Sequence, residues 1–423
     1  MLTPDMQAAF VSILKEELVP ATGCTEPIAI AYCAAKMRQV LGALPEKVLV
    51  EVSGNILKNA KSVVVPNTGG MKGVQAAAAA GIVSGQADQE LQVISSVPES
   101  AHAGIAAFVK NTPIQVACPE TPWLLDIQIT GWAGSDKAVV HILDSHTNIV
   151  YIEKNGVVEL KKEMDAAPGE TGGSRELLTL KNVLDFASEA DLSLVSDLLD
   201  RQIQYNSAIA EEGLKNNWGA NIGSTLLKEY GGDIKIEARA WAAAGSDARM
   251  SGCEMPVVIC SGSGNQGMTA SLPVIRYAKY LGATQEQLYR ALLVSDLVTV
   301  YQKAGIGRLS AYCGAVSAGV GAGAGIAYLQ GADYDAIAHT IINAVAILSG
   351  TICDGAKPSC AAKIASSVEA GILGYLMHKN GQDFKGGDGI LADDVDNTVS
   401  NVGVLARKGM LGTDRTILSI MVG

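Results

Sequence analysis

Large rings are scarce in this chain of 423 residues: Phe, Trp and Tyr together make up 5% of it, against 46 glycines. A core poor in rings must be filled by small residues, which let helices approach closely, so tightly packed helices are expected. Charge is sparse too. Only 18% of residues are Asp, Glu, Lys or Arg, and the 32 basic ones never gather into a long run. Phosphate backbones are bound through a basic footprint, so a net charge of −11 argues against a nucleic-acid partner. No charge-free window of about 20 strongly apolar residues occurs, which argues against a membrane span. The closest stretch, Cys313 to Leu329, is mostly Gly and Ala. The opening residues MLTPDMQAAFVSILKEEL lack a basic n-region and a cleavage site. They read as an amphipathic helix capped by Thr3, with Pro4 in its first turn, and a cytoplasmic protein is expected.

Several chemistries are missing as motifs. There is no G-x-S-x-G, no H-E-x-x-H and no P-loop lysine. No C-x-x-C pair occurs among the eight cysteines (24, 33, 118, 253, 260, 313, 353 and 360), which removes zinc ribbons, thioredoxin motifs and ferredoxin-type runs. In a reducing compartment these thiols are expected to be unpaired. Any metal they bind must be held by cysteines from distant segments. Lys357, in a Gly-Ala-Lys-Pro turn, would be the candidate for a pyridoxal-phosphate lysine, but no phosphate cradle is paired with it.

What is present is apolar and helical. Hydrophobic residues make up 48% of the chain and the mean hydropathy is +0.23. That is more apolar surface than a typical monomer hides, and it suggests a homodimer. Residues 1–44 read as a helical pair carrying Cys24. Residues 45–165 read as an α+β unit, with strands at 47–54, 112–120, 123–132 and 137–145 and helices at 72–83 and 101–111. A polar Gly/Pro-bearing linker falls at 164–176. From 177 to 423 nearly everything has helical periodicity. The fold class expected is α+β, mostly α: a large helical C-terminal domain, a smaller mixed α/β domain and an N-terminal helical pair.

A few segments can carry chemistry. In Ala21-Thr22-Gly23-Cys24-Thr25-Glu26-Pro27, Cys24 lies just ahead of a helix. The partial positive charge there favours thiolate, so Cys24 can serve as nucleophile, base or metal ligand, or simply sit in a Gly-led turn. Ser261-Gly262-Ser263-Gly264-Asn265-Gln266-Gly267 is a Gly-rich loop feeding a helix, and its bare amides can cradle a carboxylate. Cys313 lies in A-Y-C-G. Cys353 and Cys360 flank a loop, with Cys360 in the first turn of the next helix. Three cysteines are too few for a closed zinc site without histidine, and His339 and His378, inside helices, read as structural. Three thiolates suit a cubane cluster with one open iron; three packed thiols are the plainer alternative. Ser53-Gly54-Asn55, Lys58 and Asn67 offer amide and ammonium donors for a carboxylate. His146, in a polar knot at a strand end, can be an acid or a base.

Taken together, A-T-G-C-T-E-P (21–27), S-G-N-I-L-K-N (53–59), P-N-T-G-G (66–70), S-G-S-G-N-Q-G (261–267), A-Y-C-G (311–314) and C-D-G-A-K-P-S-C (353–360) resemble the L-cysteine desulfidase family, which is related to the iron–sulfur L-serine dehydratases. The resemblance covers nearly the whole chain. It implies a lyase that converts L-cysteine to pyruvate, ammonia and sulfide. It also implies a [4Fe–4S] cluster held by Cys313, Cys353 and Cys360, with Cys24 as the base. The amino-acid substrate would be held by Asn55, Lys58, Asn67, His146, Ser263, Gly264, Asn265 and Gln266. The serine enzymes space their last two cluster cysteines more widely and end in a Cys-bearing tail, whereas this chain ends Met421-Val422-Gly423. The alternatives are an iron–sulfur L-serine dehydratase and a binding relative without turnover.

Overall fold

The computed structural model describes residues 2–164, 173–307 and 309–422. The expected linker at 164–176 falls largely on residues 165–172, outside the described residues. The architecture is α+β and mostly α.

The described residues contain strands β1 (Pro20–Thr22), β2 (Lys47–Val52), β3 (Ile114–Ala117), β4 (Asp126–Ala133), β5 (Asp136–Leu143), β6 (Ile149–Lys154), β7 (Val157–Lys161) and β8 (Pro256–Val258). Six of them form one sheet in the order β3-β2-β4-β5-β6-β7, in which β2 and β3 run parallel and every other pair antiparallel. Four of these strands match stretches expected from β-branched alternation. The last two, joined at Asn155-Gly156, were not anticipated. Both turn residues have positive φ (52° and 81°), the signature of a primed hairpin turn.

The leading helix Pro4–Glu17 starts as expected: Thr3 accepts from the Met6 amide at 3.2 Å and Pro4 opens the first turn. The helix Thr25–Leu41 is buried along most of its length and packs against β4 and β5 on one side. On the other it meets the helix Gly73–Ser84, where a Cβ on Gly81 would lie 2.0 Å from the Ala31 carbonyl.

The helical half is organised around the Gly/Ala-rich helix Gly314–Leu329. It packs against Gly264–Leu281, Gln285–Ile306, Tyr334–Leu348 and Cys360–Lys379. The contacts are backbone to backbone. A Cβ on Gly319 would meet the Ser367 carbonyl at 2.3 Å, and one on Gly323 would meet the Gly371 carbonyl at 2.6 Å. Small residues are therefore what bring these helices together, and overpacking there is costly. Among the described residues no helix is long and apolar enough to cross a membrane.

Strands β1 and β8 form a separate antiparallel pair, with Ala21 opposite Val257. Each runs directly into a turn and then a helix. This short ribbon, which the sequence patterns did not reveal, sets the Cys24 turn beside the Gly-rich loop.

Candidate active site

Four helices begin at one pocket. Their N-caps are Cys24, Ser263, Cys313 and Ser359, and none of the four cap side chains accepts from a backbone amide of its helix. Unsatisfied amides and the positive ends of the helix dipoles therefore gather at one place, a setting that favours anionic groups. The pocket is a cavity of about 100 Å³. Its wall includes Cys24, Cys313, Cys353 and Cys360, together with Glu26, Asn59, Arg249, Lys303 and the Gly-rich loop residues Ser263, Asn265 and Gln266.

The Cys24 side is a dense hydrogen-bonded knot. Gly23 has φ +73°, and a Cβ on it would lie 2.3 Å from Pro66, so the turn requires glycine. The Thr25 hydroxyl bridges two walls, 2.9 Å from the Gly262 carbonyl and 3.1 Å from Glu26 Oε2. Cys24 Sγ donates to the same Glu26 oxygen at 3.0 Å, while Asn59 donates to Oε1 at 3.0 Å. Burial, reinforced by the Glu26 charge, pushes the Cys24 thiol well above its ordinary pKa. Glu26 goes the other way. Burial opposes its charge, but His146, the Cys24 thiol and Arg249 together hold it below the usual carboxylate range. The thiolate expected from the helix N-terminus is thus not the resting state, because desolvation and a neighbouring carboxylate outweigh the dipole.

Arg249 closes the floor. It is buried, donating from Nε to the Gly23 carbonyl at 3.0 Å and from Nη1 to Asn265 Oδ1 at 3.1 Å. Its Nη2 is buried with no hydrogen-bond partner among the described residues. A buried guanidinium nitrogen without an acceptor is costly, and a carboxylate entering the pocket would satisfy it.

The opposite wall holds the three thiols. The Cys313 amide donates to the Thr351 carbonyl at 3.1 Å and the Cys353 amide to the Ala311 carbonyl at 2.7 Å, so the two segments lie side by side. Gly355 has φ +95°, and a Cβ there would lie 2.5 Å from the Lys58 carbonyl, which lets the loop dock onto the helix Gly54–Ala60. Cys360 opens its helix. Burial, with Cys353 adding to it, pushes the Cys313 thiol up to about 12, and burial also raises Cys360. Among the described residues the three sulfurs do not lie within 4.8 Å of one another, the proximity that a single ion requires. Burial lowers Lys303, also on the wall, to about 8.

The other residues expected at the site lie behind the wall or away from it. Gly264 begins its helix where a Cβ would strike Arg249 Nε at 2.5 Å, so it makes room for the guanidinium. His146 is buried behind Gly262, with its ring carbon 3.3 Å from where a Cβ would be. Lys58 is engaged by Asp414 at 2.5 Å and by the Cys353 carbonyl at 3.3 Å, so it anchors the cysteine loop and does not face the pocket. Asn67 donates to the carbonyls of Ile94 and Ser95, and Asn55 is likewise not on the wall. Lys357 pairs with Asp354. Glu26, Asn59, Arg249 and Lys303 were not singled out from sequence. Glu26 and Asn59 lie within quoted motifs, whereas Arg249 ends an Ala-rich helix and carries no local signal.

This mostly helical α+β chain thus gathers four cysteines and a buried arginine around one pocket. The serine dehydratase alpha chain family matches residues 88–419, and this chain belongs to that family. It is also similar over nearly its full length to UPF0597 proteins. One from Desulfitobacterium hafniense is 56% identical over 414 residues, covering 98% of this chain and 96% of the relative. One from Lachnoclostridium phytofermentans is 49% identical over 417 residues, covering 99% and 100%. One from Bacteroides fragilis is 38% identical over 427 residues, covering 99% of each. The family match starts at residue 88, so Cys24, Glu26 and Asn59 lie before it.

Proposed function

We propose that this protein is an iron–sulfur lyase that eliminates sulfide from L-cysteine, giving pyruvate and ammonia. The observation that carries this reading is the meeting of Cys313, Cys353 and Cys360, from separate elements, opposite Cys24, Glu26 and Arg249 in one pocket. Buried thiols that resist ionisation on their own are deprotonated when they ligate metal, so the donor set fits a [4Fe–4S] group with one open iron. When bound, that group supplies a Lewis acid able to grip a soft leaving sulfur.

The rest of the chemistry falls to the chain. Arg249 Nη2 and the amides at Ser263–Asn265 hold the substrate carboxylate and stabilise negative charge developing next to it. Glu26 takes the thiol proton of Cys24. The sulfur so freed removes the Cα proton. The electron pair of that C–H bond forms the Cα=Cβ double bond, and sulfide leaves with the pair of the Cβ–S bond. Aminoacrylate then takes up water to give pyruvate and ammonia. The buried pocket limits entry of water before the elimination.

A second reading, an L-serine dehydratase, is favoured by the family description. The Cys24 turn, which precedes the matched region, speaks for the sulfur substrate. The proposal extends to a cytoplasmic homodimer; eight unpaired thiols support a reducing compartment. The deciding experiment is anaerobic reconstitution with iron and sulfide, followed by assays of sulfide and pyruvate from L-cysteine and L-serine on wild type and Cys24→Ser. Sulfide release that Cys24→Ser abolishes supports the proposal. Iron-loaded protein that turns over serine alone overturns the substrate.

A further inference from the structure

A second cluster of ligating side chains lies far from the pocket. His339 is on the helix Tyr334–Leu348, His378 is in the last turn of the helix Cys360–Lys379, and Asp383 is in the loop that follows. Eighteen residues of one helix separate Cys360 from His378, about 27 Å at 1.5 Å per residue. The cluster is therefore independent of the thiol pocket, and nothing below rests on the proposed lyase activity.

Its geometry brings two imidazoles and a carboxylate together. The two imidazoles stack with ring centroids 5.3 Å apart and planes 11° from parallel. Both present Nδ1 to one carboxylate: His378 Nδ1 lies 3.0 Å from Asp383 Oδ2, and His339 Nδ1 lies 3.7 Å from Asp383 Oδ1. The second distance is too long for a hydrogen bond, and His339 Nδ1 is a buried atom with no such partner. One ligand atom from each of the three residues lies within 4.8 Å of the others. A single cation between them satisfies all three at once, including the orphaned nitrogen.

The surroundings match what metal ligands need. Asn343 donates to Asp383 Oδ1 at 2.9 Å and to the Gly374 carbonyl at 3.1 Å, and it accepts from the Phe384 amide at 3.0 Å. That fixes the carboxylate and the start of its loop. On the outer side, the exposed Asp335 carboxylate lies 3.8 Å from His339 Nε2, beyond hydrogen-bond distance.

We propose that His339, His378 and Asp383 form a zinc site that ties the loop after residue 379 to two helices. Two nitrogens and one oxygen, with a fourth position for water, are a tetrahedral donor set suited to Zn²⁺, and the absence of sulfur separates it from the cysteine site.

The test uses the full chain purified in metal-depleted buffer and titrated with Zn²⁺ against a chromophoric chelator. Wild type is compared with His339→Gln and His378→Gln, each checked for native circular dichroism. Each variant is expected to lose one zinc equivalent per chain. A parallel Co²⁺ titration of wild type with its thiols alkylated does not depend on any variant folding. It should still show a visible ligand-field band from one bound ion, without thiolate charge transfer. Equal zinc stoichiometry in wild type and both folded variants, or no cobalt band once the thiols are blocked, overturns the site.

Discussion

Cys24 and Glu26 face each other across 3.0 Å and share one proton, which the sulfur keeps. In the proposed elimination the pair would work as a two-part base: the carboxylate is charged at rest, and the thiol would become reactive only by passing its proton to that carboxylate.

Glu26→Gln tests this division. An amide still fills the space and still bonds Asn59 and Thr25, but it cannot take a proton. Removing a positioned proton acceptor costs about 10²–10⁴-fold in rate. The expected result is a fall of that size in kcat for sulfide release, with KM little changed. Steady-state assays on iron-loaded protein decide it. Turnover near the wild-type level would mean that Glu26 only holds the turn together.

Arg249→Lys keeps the positive charge and removes the planar fork. The lost charge-assisted bond is worth about 1.5–3 kcal/mol, roughly ten- to a hundredfold. Because Arg249 is proposed both to hold the carboxylate and to stabilise charge developing beside it, the loss should appear as a raised KM together with a fall in kcat. Measuring KM for L-cysteine, with iron content as a control for intact assembly, tests the assignment. An unchanged KM removes Arg249 from substrate binding.

Asp296 makes folding stability depend on pH. It is fully buried, and only Gln202 donates to it, at 2.9 Å to Oδ1, while Oδ2 has no partner among the described residues. Burial raises its pKa from 3.8 to about 7. A carboxyl whose folded pKa lies above its unfolded one binds more protons in the folded state. Its contribution is therefore full below about pH 3.8 and is lost as pH rises through 7, for a total of a few kcal/mol (~1.4 per unit). Asp296→Asn keeps an acceptor for Gln202 and abolishes the titration. The Tm of the variant should gain on wild type between pH 5 and 8. Parallel Tm profiles for the two proteins would count against a titrating Asp296.

Much of the fold was legible because it rests on local pattern. The helix at Thr3, four strands of the sheet and the small-residue helix packing all follow from periodicity and composition. The β6–β7 hairpin has a local signal too, since Asn155-Gly156 between β-branched runs is a strong turn sequence. The site divides differently. Gly-Cys-Thr-Glu and the cysteine loop announce themselves as motifs. The ionisation of Cys24 does not, because burial and the Glu26 carboxylate exist only once the turn is packed. Lys58 reads as a donor for substrate until Asp414, 356 residues further on, arrives to engage it. Arg249 gains its meaning only from the Gly23 carbonyl and Asn265 around it.

The convergence of four helix starts on one pocket has a consequence for how the protein matures. Its walls are contributed by residues near 24, 263, 313 and 360, so a nascent chain holds no usable fragment of the site until translation has passed the last of these. Insertion of any iron–sulfur group must therefore follow folding of nearly the entire polypeptide, and loading of the pocket would report that assembly is complete.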